Sequence, residues 1–512
     1  MDIKNIPVEK LRFVDRNEFI SDKKFETKPV SYAKDVWRRF CKNKSSVVAA
    51  VIVLLLILFA IFVPFLCANK YTESLTDTTY LQYTKLLPKN DLCVKLGIDF
   101  WNGTKKRTVN KNEFLYFGGI EAETGYTVYT DIYKENYADN SGSTNTTYYD
   151  VREDVYTKNG MIYLTLTEAE FKAIQEWQNE TGVQVIFPAV NTSSFKLKSL
   201  ESDANIWYQC DQKGTPQLDK DGNYQALYKK SGTDDGYNSL RIEGDDGSYR
   251  YAQVGGTSEA KSYKVRVFTY TYFQYRYGFE PSFLFGTNAK GQDILTRLAS
   301  GARFSLLLAI GISVINLFIG AIYGAIEGYY GGVIDLVLER VSDVLSGVPS
   351  MVLHSLFQLH LANKVGPVWS LLFAFVLTGW IGMASRTRMQ FYRFKHQEYV
   401  LSARTLGAKD GRLMFKHIFP NAMGTIITGS VLSIPGVIFG ETNLTYLGIV
   451  NLESSTMTSV GTLLSGGNAF VSTYPHIILF PAIFISLLMI SFNLFGNGLR
   501  DAFNPSLKGV ED

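Results

Sequence analysis

Histidine and cysteine are scarce in this 512-residue sequence, which contains five of the first and four of the second. No histidine lies between residues 67 and 283, which excludes histidine-based metal sites and a Ser-His-Asp triad from that segment. Its many acidic residues leave paired carboxylates open, although a solvated surface accounts for most of them. We predict no catalytic site and no bound metal.

The phosphate-binding motif G-x-x-x-x-G-K-[ST] is absent from the sequence. This motif cradles the phosphates of a nucleotide with backbone amides and a lysine. Without it, the chain cannot hold ATP in the manner of P-loop proteins. We therefore expect that the chain binds no cofactor and that any work driven by ATP needs a partner.

Charge is sparse in six long apolar segments, and the second of them has none. A helix crosses an apolar layer about 30 Å thick with about 20 residues. Segments of about this length occupy residues 47–66, 304–326, 340–362, 366–386, 424–448 and 476–499. Burial inside a soluble protein could explain one such segment but not all six. The sequence predicts a polytopic α-helical membrane protein with six transmembrane helices in the bilayer of the cell membrane.

The distribution of lysine and arginine predicts the orientation of these helices. Residues 1–46 carry 12 basic residues and residues 386–416 carry eight, whereas residues 450–475 carry none. Basic loops stay in the cytoplasm under the positive-inside rule. We therefore predict a cytoplasmic N-terminal tail at 1–46, a cytoplasmic loop at 387–423 and a cytoplasmic C-terminal tail at 500–512. The first apolar segment follows too long a tail for a cleaved signal peptide and is predicted to stay as an anchor.

Residues 67–283 are predicted to form a folded α+β domain outside the cell, inserted between transmembrane helix 1 (47–66) and the membrane core (284–499). The domain is rich in tyrosine, asparagine and threonine. Aromatic and β-branched runs at 126–129 and 265–270 favour strands. Tyrosine suits both recognition surfaces and ordinary strands, so contact with a partner and a purely structural role stay equally open.

One β-α-β unit is predicted inside this domain. Thr167 and Glu170 have the spacing of a capping box, which predicts a helix at 168–180. The flanking apolar runs predict strands at 161–166 and 183–187.

Two cysteines, Cys93 and Cys210, both fall in the predicted external domain. Spacing alone cannot pair cysteines. A disulfide between them and two free thiols therefore both stay open.

Polar and conformationally special residues mark the apolar segments. Asp293 is predicted to cap the helix that follows a glycine-rich turn. Asn316 and Glu441 lie in apolar surroundings, where ionisable and polar groups indicate either a translocation pathway or a structural role. Four glycines are predicted to give small faces for close helix packing, and three prolines are predicted to kink helices: Gly311, Gly320, Gly324 and Gly328, and Pro349, Pro435 and Pro481.

The basic segment 397–420 has more internal order than a simple loop. Residues from Glu398 to Leu406 lack glycine and proline and stop at Gly407, which predicts a short helix with a glycine just past its end. A second helical stretch is predicted from Ala408 and is expected to break at Pro420. A helix, a glycine, a second helix and a proline indicate a docking element.

The stretch from about residue 283 to 507 resembles the permease subunits of bacterial ABC importers of the oligopeptide and dipeptide class. The cytoplasmic motif of that family reads Glu-Ala-Ala, three residues, Gly, nine residues, Ile-x-Leu-Pro. In this chain it aligns with Leu401-Ser402-Ala403, Gly407 and His417-Ile418-Phe419-Pro420. Leu401 replaces the family's acid, and Glu398, one helical turn earlier, is a candidate to compensate for it.

Further matches extend the resemblance to both ends of the chain. They are Trp37-Arg38-Arg39-Phe40, which resembles the start of the second or C-type permease, Gly286-Thr287 with Gly291 and Asp293, and residues 492–501. The long external domain is an addition to the usual family pattern.

The resemblance implies half of a translocation pore with several partners. These are a second permease subunit, two ABC ATPase subunits that hold ATP and Mg, and an extracellular peptide-binding lipoprotein; no nucleic acid is expected. Segment 397–420 would then couple the pore to the ATPases, through Glu398, Ser402, Ala403, Arg404, Gly407, Phe419 and Pro420. Asn316, Pro435 and Glu441 are candidates for the translocation pathway.

Two alternatives stay open beside this interpretation. Basic residues alone would fit a segment that lies on anionic lipid. The whole chain could also be a membrane-anchored sensor or adhesion protein, in which the tyrosine-rich domain binds a ligand and the spans are an anchor. That alternative predicts a chain that works without ATPase partners.

Overall fold

The computed structural model describes residues 32–66, 83–138, 147–190, 204–205, 242, 244–257, 261–454 and 457–503. Most of the predicted N-terminal tail and most of the C-terminal tail lie outside the described residues, as does Cys210.

Helices dominate the two ends of the described chain, and the strands lie between them. The helices are α1 (Tyr32–Lys42), α2 (Lys44–Leu66), α3 (Asp91–Lys95), α4 (Lys111–Thr124), α5 (Glu168–Thr181), α6 (Thr269–Tyr277), α7 (Ile294–Tyr330), α8 (Gly332–Ser346), α9 (Ser350–Val365), α10 (Pro367–Gly379), α11 (Ile381–Phe394), α12 (Glu398–Thr405), α13 (Asp410–Arg412), α14 (Phe419–Tyr446), α15 (Val460–Asn468) and α16 (His476–Phe503). The strands are β1 (Thr104–Asn110), β2 (Tyr129–Ala138), β3 (Thr147–Asp154), β4 (Met161–Thr167), β5 (Ile186–Phe187), β6 (Ala252–Gly256) and β7 (Lys261–Phe268).

Within the described residues, five helical stretches are long and apolar enough to cross a bilayer. They are Lys44–Leu66, Ile294–Tyr330, Pro367–Phe394, Asp410–Tyr446 and His476–Phe503. This agrees with a polytopic helical membrane protein, while the total of six transmembrane helices stays a prediction.

The predicted third span, 340–362, is not one helix. It is divided between α8 and α9, which are separated by Gly347, Val348 and Pro349. The prediction that Pro349 lies inside a helix is therefore wrong. Pro349 directly precedes α9, where a proline's missing N–H leaves no helical hydrogen bond unmade. Pro435 and Pro481 do lie inside their helices, as predicted.

Helix α7 packs closely on α11 through its glycines. A Cβ atom added to Gly328 would lie 2.6 Å from the Cβ atom of Phe391, and additions at Gly320 and Gly324 would collide with the α11 backbone. These three glycines therefore form the small face that the sequence predicted. Gly311 does not belong to it, since an added Cβ there meets nothing within 4 Å.

The described residues between α2 and α7 form an α+β unit with two sheets. One sheet has the order β1-β3-β2, and in the other β4 and β5 pair with β7 on opposite sides, while β6 also pairs with β7. All these pairings are antiparallel. Because β4 and β5 both run opposite to β7, they are parallel to each other and α5 connects them.

The predicted capped helix of this unit is confirmed. Thr167 accepts a hydrogen bond from the Glu170 amide, the Glu170 side chain accepts one from the Thr167 amide, and Gly182 follows the helix in a left-handed conformation. The strand predicted at 265–270 ends earlier, at Phe268, because Thr269 begins α6. The strand predicted at 126–129 begins only at its last residue, Tyr129.

The α+β unit rests on the helices where α7 begins. The Leu86 amide donates to Thr287 Oγ1 at 2.8 Å, and the Thr287 amide donates back to the Leu86 carbonyl at 3.0 Å. Gly286 has φ +73°, and an added Cβ there would collide with the Leu86 carbonyl. Phe283, three residues before Gly286, lies in the aromatic core of the unit. The unit is therefore fixed to the turn that leads into α7.

Candidate functional site

The candidate site is segment 397–420, which begins with the short helix α12. The Ala408 amide donates to the Ala403 carbonyl at 3.1 Å, and the Gly407 amide donates to the Arg404 carbonyl at 3.0 Å. Gly407 has φ +86°. This pair of bonds around a left-handed residue is the Schellman arrangement that ends many helices. The predicted glycine end at Gly407 is confirmed.

The second half of the segment differs from the prediction at Pro420. After α13, residues Leu413–Ile418 form a π-helical turn, and α14 then begins at Phe419 and runs through Pro420. Proline in a regular helix clashes with the carbonyl four residues earlier, which here belongs to Lys416. Here the Phe419 amide donates to the Met414 carbonyl, five residues earlier, and Pro420 follows in the first turn of α14. Pro420 therefore starts a membrane helix and does not end one.

Buried side chains attach the segment to the ends of α7 and α11. Val400, Leu413 and Ile418 are fully buried and pack with Tyr329 of α7 and Phe391 of α11. The partly buried Ala403, Ala408 and Phe419 pack against the same cluster. A displacement of the segment would therefore be transmitted to two membrane helices.

A polar contact adds to this attachment. The Tyr329 hydroxyl donates to Asp410 Oδ1 at 2.5 Å, and Arg404 Nη2 donates to the same hydroxyl at 3.4 Å. Arg404 and Asp410 lie on either side of Gly407, so one tyrosine fixes both halves of the segment. Arg404 was a predicted coupling residue, whereas Tyr329 and Asp410 were not.

The opposite face of the segment exposes apolar side chains. Leu406 is 88% exposed, Phe415 59% and Leu401 43%. Other exposed residues of the segment include the aromatic Tyr399 and the polar, basic or small residues Glu398, Ser402, Lys409, Arg412, Lys416 and Pro420. Large apolar side chains with such exposure on a firmly attached segment mark a contact surface. Ala403 is partly buried and packs against the inner cluster, and its contact with an ATPase subunit stays a prediction.

An ionic cluster near the segment joins α8 to α11. Arg388 donates to both carboxylate oxygens of Asp335, at 2.6 and 2.9 Å, and to both of Glu339, at 2.7 and 3.0 Å. The hydrogen bonds from Arg388 hold the pKa of Asp335 below its ordinary value. These residues were not predicted, although Asp335 and Glu339, two acids four residues apart on one face of α8, were a usable signal.

The three pathway candidates are all buried within this chain. Asn316 and Pro435 are both buried in their helices. Glu441 is 1% exposed and accepts hydrogen bonds from Ser305 at 2.9 Å and Thr445 at 3.4 Å. A role in a pore shared with another subunit stays a prediction for each of them.

The predicted cap at Asp293 is confirmed, because its carboxylate accepts from the amides of Leu295 and Thr296. Cys93 lies half-buried in α3, and Cys210 lies outside the described residues. The disulfide therefore stays a prediction. Among the described residues, no group of three or more histidine, cysteine, aspartate or glutamate side chains could hold a metal ion.

Comparison with known proteins identifies the family. The family described as "Binding-protein-dependent transport system inner membrane component" matches residues 316–509, and the family described as "N-terminal TM domain of oligopeptide transport permease C" matches residues 31–88. Most of the α+β unit lies between these two matches.

Curated relatives agree with these matches. The chain is 42% identical over 224 residues to the oligopeptide transport system permease protein OppC of Bacillus subtilis, covering 44% of this chain and 72% of the relative. It is 38% identical to the dipeptide transport system permease protein DppC of the same organism, covering 44% and 69%. For the OppC protein of Haemophilus influenzae the identity is 39%, with coverage of 43% and 70%.

The chain belongs to the family of binding-protein-dependent transport system inner membrane components. Within that family it is a permease of the C type, the type found in oligopeptide and dipeptide transport systems. The resemblance noted from the sequence is thereby confirmed. As a multi-pass permease subunit it is not itself the ATP-hydrolysing enzyme.

Proposed function

We propose that this chain forms half of the translocation pore of an ATP-driven peptide importer. The names of its relatives support oligopeptides or dipeptides as cargo. A second permease subunit would complete the pore, two ATPase subunits would hold ATP and Mg, and an extracellular peptide-binding lipoprotein would deliver the cargo. Asn316, Pro435 and Glu441 would then lie in or directly behind the pathway.

The observation that carries the coupling proposal is the two-sided character of segment 397–420. Its inner side is packed on α7 and α11 through Val400, Leu413 and Ile418. Its outer side presents Leu406 and Phe415 to solvent. A segment that packs on membrane helices with one side and exposes apolar side chains on the other can bind a partner subunit. A movement of that partner would then move the membrane helices. We assign this outer side to an ATPase subunit.

The charge distribution supports a cytoplasmic position for the segment. Residues 386–416 carry eight basic residues against two acids, which favours the cytoplasm. Helices α2 and α7 would then place both termini inside and the α+β unit outside. The unit would cover the pore mouth or contact the peptide-binding protein, since it is attached where α7 begins.

The test of the coupling proposal is co-purification of the assembled transporter from native membrane. We expect two ATPase subunits per pair of permeases with the unmodified chain. Leu406→Asp should reduce ATPase recovery at least tenfold without changing membrane insertion, because a charge replaces the most exposed apolar side chain of the segment. Val254→Asp, at a residue 63% exposed in the α+β unit, is the matched control and should retain the ATPases.

Two results would contradict the proposal. If the unmodified chain purifies without ATPase subunits, the sensor or adhesion function is favoured. If Leu406→Asp retains them in full, the outer side of segment 397–420 is not the docking surface.

A further inference from the structure

The α+β unit carries an apolar loop, residues 90–101, that its own core does not bury. Five large apolar side chains within nine residues are 44–68% exposed, namely Leu92, Val94, Leu96, Ile98 and Phe100. Such a concentration is unusual for a solvated surface and marks a contact with another apolar phase.

The apolar loop is ordered and closed at its base. The Asn90 amide donates to the Trp101 carbonyl at 2.8 Å, and the Ile98 amide donates to the Cys93 carbonyl at 2.9 Å. Asp99 forms an ion pair with Arg152 of β3. These bonds hold the backbone, so the exposed side chains are displayed on a fixed scaffold.

The base of the loop touches a membrane helix. The indole of Trp101 stacks on Phe480 of α16, with ring centroids 5.9 Å apart and planes 10° apart. One turn further along α16, Phe484 contacts Phe59 of α2. Phe480 therefore lies about 6 Å beyond Phe484 along the axis, since a helix rises about 1.5 Å per residue.

This position is level with the last turns of α2. The two helices are antiparallel, because Ser46, near the start of α2, contacts Leu494 near the end of α16. Six ångströms beyond Phe59 corresponds to about four residues of α2. Helix α2 remains apolar to its end at Leu66, and around this level Phe62, Phe65 and Leu66 are 54%, 68% and 79% exposed.

We propose that the apolar loop inserts into the lipid leaflet at which α2 ends. The base of the loop lies level with the last turns of α2, whose exposed apolar side chains would face lipid in a bilayer. Trp101 has the interfacial position at which tryptophan is enriched in membrane proteins. Lys95, exposed between Val94 and Leu96, can extend its ammonium group to phosphate headgroups. The loop thus anchors the α+β unit to the bilayer at a second point.

The experiment is spin-label accessibility in the full chain with its co-purifying subunits. A cysteine-free form receives a label at Leu96→Cys and is placed in vesicles of phosphatidylethanolamine and phosphatidylglycerol. Ile61→Cys, on the exposed face of α2, is the lipid control, and Val254→Cys in the α+β unit is the water control. We expect the ratio of oxygen to nickel-chelate collision rates at position 96 to be several-fold above that at 254 and close to that at 61.

Two outcomes would overturn the proposal. A ratio equal to that at Val254→Cys would place the loop in water. Low accessibility to both reagents would show that a protein covers it. If the cysteine-free form does not fold, the native chain and Trp101→Phe are compared in vesicles with brominated lipid. If brominated lipid quenches less tryptophan fluorescence in Trp101→Phe than in the native chain, Trp101 lies in lipid and insertion is supported. If it quenches the two equally, insertion is contradicted.

Discussion

Replacement of Gly407 tests whether the left-handed end of α12 sets the geometry of segment 397–420. Its φ is +86°, and a Cβ added there meets nothing within 4 Å. A side chain at position 407 would therefore cause no steric clash, and its only cost is the left-handed backbone conformation. For a residue with a Cβ this conformation costs about 1–2 kcal/mol. The equilibrium ratio of the left-handed helix end to other conformations then falls roughly 5- to 30-fold. Asparagine enters this region more readily than alanine.

We therefore expect a rank order rather than a single loss. Hydrogen exchange at the Ala408 amide, which reports the bond to Ala403, should accelerate most in Gly407→Ala and less in Gly407→Asn. Peptide-stimulated ATP hydrolysis in proteoliposomes should decrease in the same order. Gly411→Ala is the matched control, because Gly411 lies in α13 without a positive φ. Equal exchange in Gly407→Ala and the unmodified chain, or a stronger effect of asparagine than of alanine, would refute the reasoning.

Two further predictions concern charged groups. Arg388→Ala should lower the free energy of unfolding of the purified chain by about 1.5–3 kcal/mol. Arg340→Ala, which breaks an exposed pair with Asp343, should lower it by under about 1 kcal/mol. Similar melting temperatures for the two variants would contradict a stabilising role for the ionic cluster of Arg388. Because the pKa of Asp335 is lowered in the fold, its contribution is complete above its ordinary pKa of about 3.9 and disappears only as pH falls through the lowered value. In the α+β unit, Arg266 is fully buried and donates to both oxygens of Glu123 at 3.0 and 2.9 Å. Arg266→Ala should therefore cost about 3–5 kcal/mol in thermal unfolding, and an effect no larger than that of the exposed Lys261→Ala would contradict this.

Local patterns predicted the local structures well. The capping box at Thr167, the cap at Asp293 and the glycine end at Gly407 were all readable, because each depends on residues within one helical turn. The small faces of Gly320, Gly324 and Gly328 followed from their spacing along α7.

Predictions that depended on context were less accurate. Pro420 was expected to end a helix, but it lies in the first turn of α14, directly after a π turn. The divided third span was missed, since hydropathy reports apolar content and not whether the backbone is continuous. Tyr329, Asp410, Asp335 and Arg388 were missed because their partners lie 49 or more residues away in sequence.

The sequence by itself determined the membrane class, the family and the short helix that ends at Gly407. These follow from hydropathy, basic residues and a spaced motif, which are properties of contiguous residues. Only the tertiary structure decided which side of segment 397–420 is packed and which is exposed, and that Ala403 faces inward. It also placed Trp101 against Phe480 of α16. Which side of a segment is buried depends on how helices distant in sequence pack against each other. A pattern within contiguous residues does not contain that information.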